Sequence, residues 1–174
     1  MDSSFKPYFL LEEQRKLFYS VYNRLSFDYG VCYLSYFCEN SSSNVRIAYT
    51  SNPDWQGEYI KKGLIQHCHL YKRAINLLGN SAENKVILPW ETVPRLSKIE
   101  AEIDWFRYEK GIPRNGISFC EKNSSIREFI AIAPDRNDEK FLLRISEQLT
   151  QVKRKIFSLR EIIKKSIEAN KFYM

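Results

Sequence analysis

Apolar residues recur at alternating spacings of three and four residues through the last part of the chain, from about residue 139 to residue 169. This period is typical of an amphipathic helix with a narrow apolar stripe that another helix covers. The stripe runs over about six helical turns. It packs against the first helix of the same domain, against a second copy with Ile156, Leu159 and Ile163 at or beside the contact, or against both. The apolar positions are Leu142, Ile145, Leu149, Val152, Ile156, Leu159 and Ile163.

The remaining sequence alternates between helical and extended patterns. Segments rich in β-branched and aromatic residues predict strands, and segments with helical periodicity separate them. This order predicts an α/β fold: an α-β-α sandwich with a central five-stranded, mostly antiparallel sheet and a long C-terminal helix. The predicted helices are residues 10–26, 53–78, 93–110 and 139–169, and the predicted strands are residues 31–39, 45–50, 85–90, 116–122 and 128–133.

The length and composition indicate a single domain over residues 1–174. The chain is long enough to bury a sizeable core, and 28% charged residues are ordinary for a water-soluble protein. No apolar run approaches the roughly 18 residues of a membrane-spanning helix. The first residues lack the basic and apolar regions of a signal peptide. We therefore expect a cytoplasmic protein with no membrane partner.

The four cysteines, Cys32, Cys38, Cys68 and Cys120, match no zinc or disulfide spacing, and we expect them to be buried thiols. One of them lies in the run His67–His69, but consecutive side chains diverge on a helix and alternate on a strand, so we expect no metal site. The same geometry disfavours a Cys-His catalytic pair, and no Ser-His-Asp arrangement or phosphate-binding glycine loop is visible. The sequence predicts no catalytic residues, no cofactor and no enzyme activity.

The net charge of +6 is concentrated near the C-terminus, where residues 151–174 contain seven basic and two acidic side chains. A basic helix of this kind can contact nucleic acid. A solvated helix face is the more common role of such a pattern, and no recognised nucleic-acid-reading motif accompanies it. We therefore expect no direct contact between this chain and nucleic acid.

The run from Pro53 to Gly63 places two large amphipathic aromatic residues one helical turn apart. Asn52 and Pro53 predict the helix start. Trp55 and Tyr59, at i and i+4, point to the same side of that helix. Each has an apolar body and one polar donor, which suits a small, mostly apolar ligand that carries a carbonyl group or two. The alternative is that these rings belong only to the core.

Together with a second tryptophan downstream, Trp90, this run resembles the autoinducer-binding domain of LuxR-type quorum-sensing receptors, and the resemblance covers essentially the whole chain. It implies that Trp55 stacks over the head of the ligand or lines its pocket. It also implies that Tyr59 donates to an amide carbonyl, and that Trp90 donates its indole N–H to a lactone carbonyl or forms a wall of the pocket. Ser118, on a predicted strand, is a further candidate for an inward polar group.

Cys68 is the main departure from the family pattern. The family's aspartate, which accepts the amide N–H of the ligand, lies nine residues after the tyrosine, and Cys68 stands at that position. A thiol is a weak acceptor, and a charge-assisted hydrogen bond is roughly twice as strong as a neutral one. We therefore expect common acyl-homoserine lactones to bind weakly, and Cys68→Asp to strengthen their binding.

The resemblance implies a signal-sensing regulatory domain of a LuxR-type transcriptional regulator. Its partners would be an acyl-homoserine-lactone-like or divergent signal molecule and a second copy or a related regulator. Members of the family continue into a helix-turn-helix domain that reads DNA. This sequence does not contain such a domain. We therefore expect the chain to be either a fragment of a longer regulator or a sensor-like protein without a DNA-reading domain. The alternative function is a ligand-independent interaction module, an antagonist or adaptor, that uses the same fold.

Overall fold

A computed structural model describes residues 12–40 and 45–170, of which residues 45, 46 and 162–170 are described by their backbone alone. The predicted helix start at residue 10 lies outside these residues. They form six α-helices, five β-strands and two short 3₁₀ turns, at Leu64–His67 and Trp90–Thr92. The helices are α1 Glu12–Tyr29, α2 Pro53–Lys61, α3 His69–Asn80, α4 Lys98–Glu109, α5 Phe141–Glu147 and α6 Leu149–Asn170, and the strands are β1 Val31–Asn40, β2 Val45–Thr50, β3 Lys85–Pro89, β4 Ile117–Asn123 and β5 Ile126–Pro134.

The strands form one sheet in the order β2-β1-β5-β4-β3, and every neighbouring pair is antiparallel. Side chains alternate along each strand, so the sheet presents two apolar faces. Helices α1, α5 and α6 cover one face, and helices α2, α3 and α4 cover the other. The predicted α-β-α sandwich around a five-stranded sheet is confirmed. No helix in the described part of the chain is long and apolar enough to cross a membrane.

The apolar stripe of the C-terminal helix is covered by the chain itself. Val152, Ile156 and Leu159 of α6 have 0% of their surface exposed, and they pack in one core with Phe18 of α1. Ile156 and Leu159 therefore do not lie at a dimer contact themselves, because no surface of these side chains remains for a partner; that they lie beside one stays a prediction. The side chain of Ile163 lies outside the described residues.

Two predicted helices are interrupted. The helix predicted at residues 53–78 is broken at Gly63, which adopts a left-handed backbone conformation with a φ of 61°. A glycine has no Cβ atom and takes this conformation at little cost, so the chain turns there before α3 begins. The helix predicted at residues 139–169 is broken at Gln148, and the long C-terminal helix is therefore α6 alone.

Candidate ligand-binding site

A cavity of about 140 Å³ lies between helices α2, α3 and α4 and the face of the sheet that these helices cover. The strand register explains its floor, because Ser35 of β1, Ala131 of β5 and Ser118 of β4 are neighbours across the three central strands. These small side chains leave space between larger ones on the flanking rows, such as Tyr33 and Phe129. The cavity therefore follows from a row of small residues that the sheet register brings together.

Helix α2 carries two aromatic residues of the cavity wall. It begins as predicted, with Pro53 in its first turn and the Asn52 side chain accepting a hydrogen bond from the backbone N–H of Trp55 at 3.0 Å. The side-chain amide of Asn52 also donates to the carbonyl of Lys110 at 2.8 Å, which ties α2 to the end of α4. Trp55 is buried, and the centroids of the Trp55 and Tyr59 rings are 5.1 Å apart. Both rings line the cavity.

Trp90 is held at the cavity by residues at the start of β4. Its backbone N–H donates to the carbonyl of Gly116 at 2.9 Å, and its indole N–H donates to the hydroxyl of Ser118 at 2.8 Å. The ring lies so close to Gly116 that a Cβ atom there would overlap it. Because the indole N–H is already bonded within the chain, a ligand that accepts this hydrogen bond has to displace Ser118.

Cys68 lies between the first 3₁₀ turn and α3, and its buried thiol lines the cavity near Tyr59. Burial raises the pKa of Tyr59 well above its usual range, and the Cys68 thiol raises it further. Burial also raises the pKa of Tyr33. Both phenols therefore remain protonated at neutral pH, with the Tyr33 hydroxyl beside Ser35 and Thr50 and the Tyr59 hydroxyl beside Cys68.

The other cysteines are mostly inert buried thiols. Burial raises the pKa of Cys38 and the pKa of Cys120 to about 12, and a thiol that stays protonated is a poor nucleophile. Cys32 is exposed, contrary to the prediction, and it lies at an irregularity in the pairing of β1 with β5, between Val31 and Tyr33. Among the described residues, no three His, Cys, Asp or Glu side chains come together as a metal site requires.

Arg107 of α4 brings a positive charge to the cavity wall. It is 5% exposed, and its guanidinium carbon lies 4.7 Å from the centroid of the Trp90 ring. Arg107 also forms an ion pair with Asp104, one turn earlier on α4. The Asp104 carboxylate is 1% exposed and also binds the Nε atoms of Arg95, at 2.7 Å, and Arg114, at 3.0 Å. One carboxylate thus faces three guanidinium groups, and this arginine cluster keeps a net positive charge.

His69, the first residue of α3, lies beside the arginine cluster. Its Nε2 atom is 3.9 Å from Oδ1 of Asp104, and its side chain is 2% exposed. Burial, followed by the neighbouring Arg107, lowers the pKa of His69 to about 4. The imidazole is therefore neutral at physiological pH and adds no charge to the cluster.

Solved structures of regulatory proteins share this architecture. CepR2 from Burkholderia cenocepacia, an N-acylhomoserine lactone dependent LuxR family transcription factor, matches 83% of this chain and 93% of its own, with a TM-score of 0.52 and 11% sequence identity. SdiA from Escherichia coli matches 83% of this chain with a TM-score of 0.50 and 14% identity, and the match spans 62% of the SdiA chain, less than two thirds. The fold is that of the LuxR-family autoinducer-binding domain. No protein-family model and no curated protein matches the sequence.

In this autoinducer-binding fold, the predicted site residues all line the one cavity; they are Trp55, Tyr59, Cys68, Trp90 and Ser118. Tyr33, Arg107 and Ala131 also line it and were not among the predicted residues. A sequence signal existed for Arg107, because it follows Asp104 by three residues and Ile103 by four within a predicted helix. This spacing allows an ion pair on one side of the helix, but it does not show that the pair is buried or that Arg107 reaches a cavity.

Proposed function

We propose that the chain is the signal-sensing domain of a LuxR-type transcriptional regulator, and that its signal is a small apolar or amphipathic molecule bound in the cavity. The observation that carries this proposal is the cavity itself. It lies within the autoinducer-binding fold, and aromatic rings that carry polar groups line it. Such a site offers apolar area to the body of a ligand and hydrogen-bond donors to its oxygen atoms. A regulator of this kind acts in the cytoplasm and has no enzyme activity.

Ligand binding would complete the core on this face of the sheet. The side chains that line the cavity of about 140 Å³ lack packing contacts on the side that faces it. A ligand that fills the space restores the missing contacts. At a concentration of 100 times its Kd it stabilises the folded state by about 2.7 kcal/mol. The signal would thus be transmitted as a gain in the stability of the folded domain.

Replacing Ala131 by leucine is expected to block the cavity, because the larger side chain rises from the middle of its floor. The wild type should gain about 5 °C or more in Tm with a saturating ligand, and Ala131→Leu should lose this gain. The measurement is thermal unfolding of both proteins with N-acyl-homoserine lactones, short-chain carboxylates and single-ring aromatic molecules. Native mass spectrometry of the purified wild type reveals any molecule that it already carries.

Ala101→Leu is the matched control, because Ala101 is exposed on α4 and does not line the cavity. This variant should keep the full wild-type gain in Tm. The proposal is wrong if the purified wild type is empty and no compound raises its Tm, or if Ala131→Leu responds as the wild type does.

A second candidate function is the ligand-independent interaction module, an antagonist or adaptor. Two observations favour it. The cavity, at about 140 Å³, is smaller than the roughly 300–1,000 Å³ of typical small-molecule sites. In addition, the indole N–H of Trp90 already has a partner in Ser118. A stable, empty wild type whose Tm does not respond to the compounds is the result expected from this function.

We further propose that the domain pairs with a second copy or with a related regulator through a surface outside the buried stripe of α6. Phe27 near the end of α1 is 92% exposed, and Leu143 of α5 is 60% exposed. The two helices adjoin where Arg144 donates a hydrogen bond to the carbonyl of Tyr29 at 3.0 Å. Large exposed apolar side chains on adjoining elements favour a protein contact.

Sedimentation velocity tests this pairing. We expect the wild type to dimerise at micromolar concentration and the double variant Phe27→Ser, Leu143→Ser to be monomeric, because polar side chains there remove the apolar contact. Leu96→Ser is the control, because Leu96 is 83% exposed at a separate place, before α4. A monomeric wild type, or a double variant that dimerises as well as the control, contradicts the proposal.

A further inference from the structure

We propose that the cavity selects a small ligand with a negative charge, an aromatic or short-chain carboxylate, and that Arg107 receives this charge. The inference rests on the proposed function, because it names the class of molecule that occupies that site. The observation behind it is a buried arginine that lacks, among the described residues, a hydrogen-bond partner for one of its nitrogen atoms and lies in an otherwise uncharged cavity wall.

Arg107 is the one side chain with a formal charge among the described residues that line the cavity. It is 5% exposed, and its Nε atom has no hydrogen-bond partner within the described part of the chain. An unpaired buried donor is unfavourable, and a buried charge requires a counter-ion and hydrogen bonds. A carboxylate oxygen in the cavity provides both, since a guanidinium group binds carboxylates in a matching planar geometry.

Asp104 does not fully neutralise the positive charge of Arg107, because it is shared with two other arginines. Its Oδ2 atom binds the Nε atoms of Arg95, at 2.7 Å, and Arg114, at 3.0 Å, while its Oδ1 atom binds Arg107. A single carboxylate therefore serves three cations, and a second negative charge on the cavity side of Arg107 improves the local balance. The neutral His69 leaves this balance unchanged.

The other polar groups of the cavity also favour an acceptor ligand. Tyr33 and Tyr59 are protonated phenols that donate hydrogen bonds. Cys68 supplies a thiol, and the described lining contains no carboxylate that could accept from an amide N–H. The cavity thus offers donors and a positive charge, which complement a carboxylate better than an amide.

The volume limits the size of the ligand. A protein cavity of about 150 Å³ with an apolar lining holds one benzene molecule, and the cavity here measures about 140 Å³. A single aromatic ring or a chain of about six carbons fills this space when its carboxylate lies at Arg107. Benzoate and hexanoate are therefore suitable probes.

The test is titration calorimetry of the whole chain at neutral pH with benzoate and hexanoate, each compared with its neutral amide of the same shape, and with toluene as an apolar probe. Each acid should bind more tightly than its amide by roughly tenfold or more. Arg107→Gln should abolish this preference. Arg95→Gln is the matched control, because Arg95 binds the same Asp104 but does not line the cavity, and it should keep the preference.

Cys68→Asp provides a second variant that leaves Arg107 in place. Cys68 raises the pKa of Tyr59 and Arg107 lowers it, so both side chains are close to the Tyr59 hydroxyl. A carboxylate at residue 68 is therefore attracted to the guanidinium group and competes with an acidic ligand. Binding of the acids should weaken by roughly tenfold, and binding of the amides should be kept or improved.

The outcomes separate this inference from the proposed function. If the amides or toluene bind as tightly as the acids, the inference is wrong and the proposed function stands. A preference for acids that survives Arg107→Gln also overturns the inference, because the charge is then received elsewhere. If no probe binds, charged or neutral, the inference is contradicted and the proposed function is contradicted for ligands of this size.

Discussion

Replacing Asp104 by alanine is expected to lower the free energy of unfolding by about 3–5 kcal/mol, the usual result of removing one partner of a buried ion pair. Asp104 is 1% exposed and is the carboxylate that joins Arg95, Arg107 and Arg114. Without it, Arg107 remains buried with no anion, and three positive charges repel one another. Urea unfolding of the wild type and of Asp104→Ala measures this difference.

Glu102→Ala is the control on the same helix. The Glu102 side chain is 63% exposed and lies 3.8 Å from Lys98, so its removal should change stability by no more than about 0.5 kcal/mol. Asp104→Asn should fall between the two, because the amide oxygen still accepts hydrogen bonds while the charge is lost. An Asp104→Ala protein as stable as Glu102→Ala would show that the arginines are solvated independently of Asp104.

Acidification from pH 7 to pH 5 is expected to cost about 2 kcal/mol of folding stability through His69 alone. The pKa of His69 is lowered from 6.5 to about 4, first by burial and then by Arg107, while Asp104 acts in the opposite direction. Between these values the unfolded chain binds a proton that the folded chain does not, so stability falls as the pH falls. The stability that the neutral His69 contributes is complete above pH 6.5. It is lost by about pH 4, where His69 is protonated in the folded and in the unfolded chain.

Urea unfolding at several pH values checks this expectation, and His69→Asn should flatten the curve between pH 7 and pH 5 relative to the wild type. His67→Gln is the matched control, because His67 is exposed, and it should leave the slope unchanged. Other ionisable groups near His69, including Arg95 and Glu100, are present in all three proteins. Equal slopes for the wild type and His69→Asn would mean that the imidazole is protonated within the fold.

Much of the architecture was predictable because local rules act over a few residues. The five strands were found within two residues of their ends, from alternation and turn residues. The start of α2 followed from the cap at Asn52 and from Pro53. The shared orientation of Trp55 and Tyr59 followed from the spacing of four residues. Helix ends were less predictable, because Gly63 permits a break without requiring one.

The sequence by itself determined the order of the strands and of the main helical segments, the sheet-and-helix class and five residues of the cavity wall. Only the tertiary structure decided that the stripe of α6 packs against α1, that small residues from three strands align under one cavity, and that three arginines meet at Asp104. These contacts join residues far apart in the chain. They depend on strand register and on the packing of helices against the sheet, which periodicity along one segment does not specify.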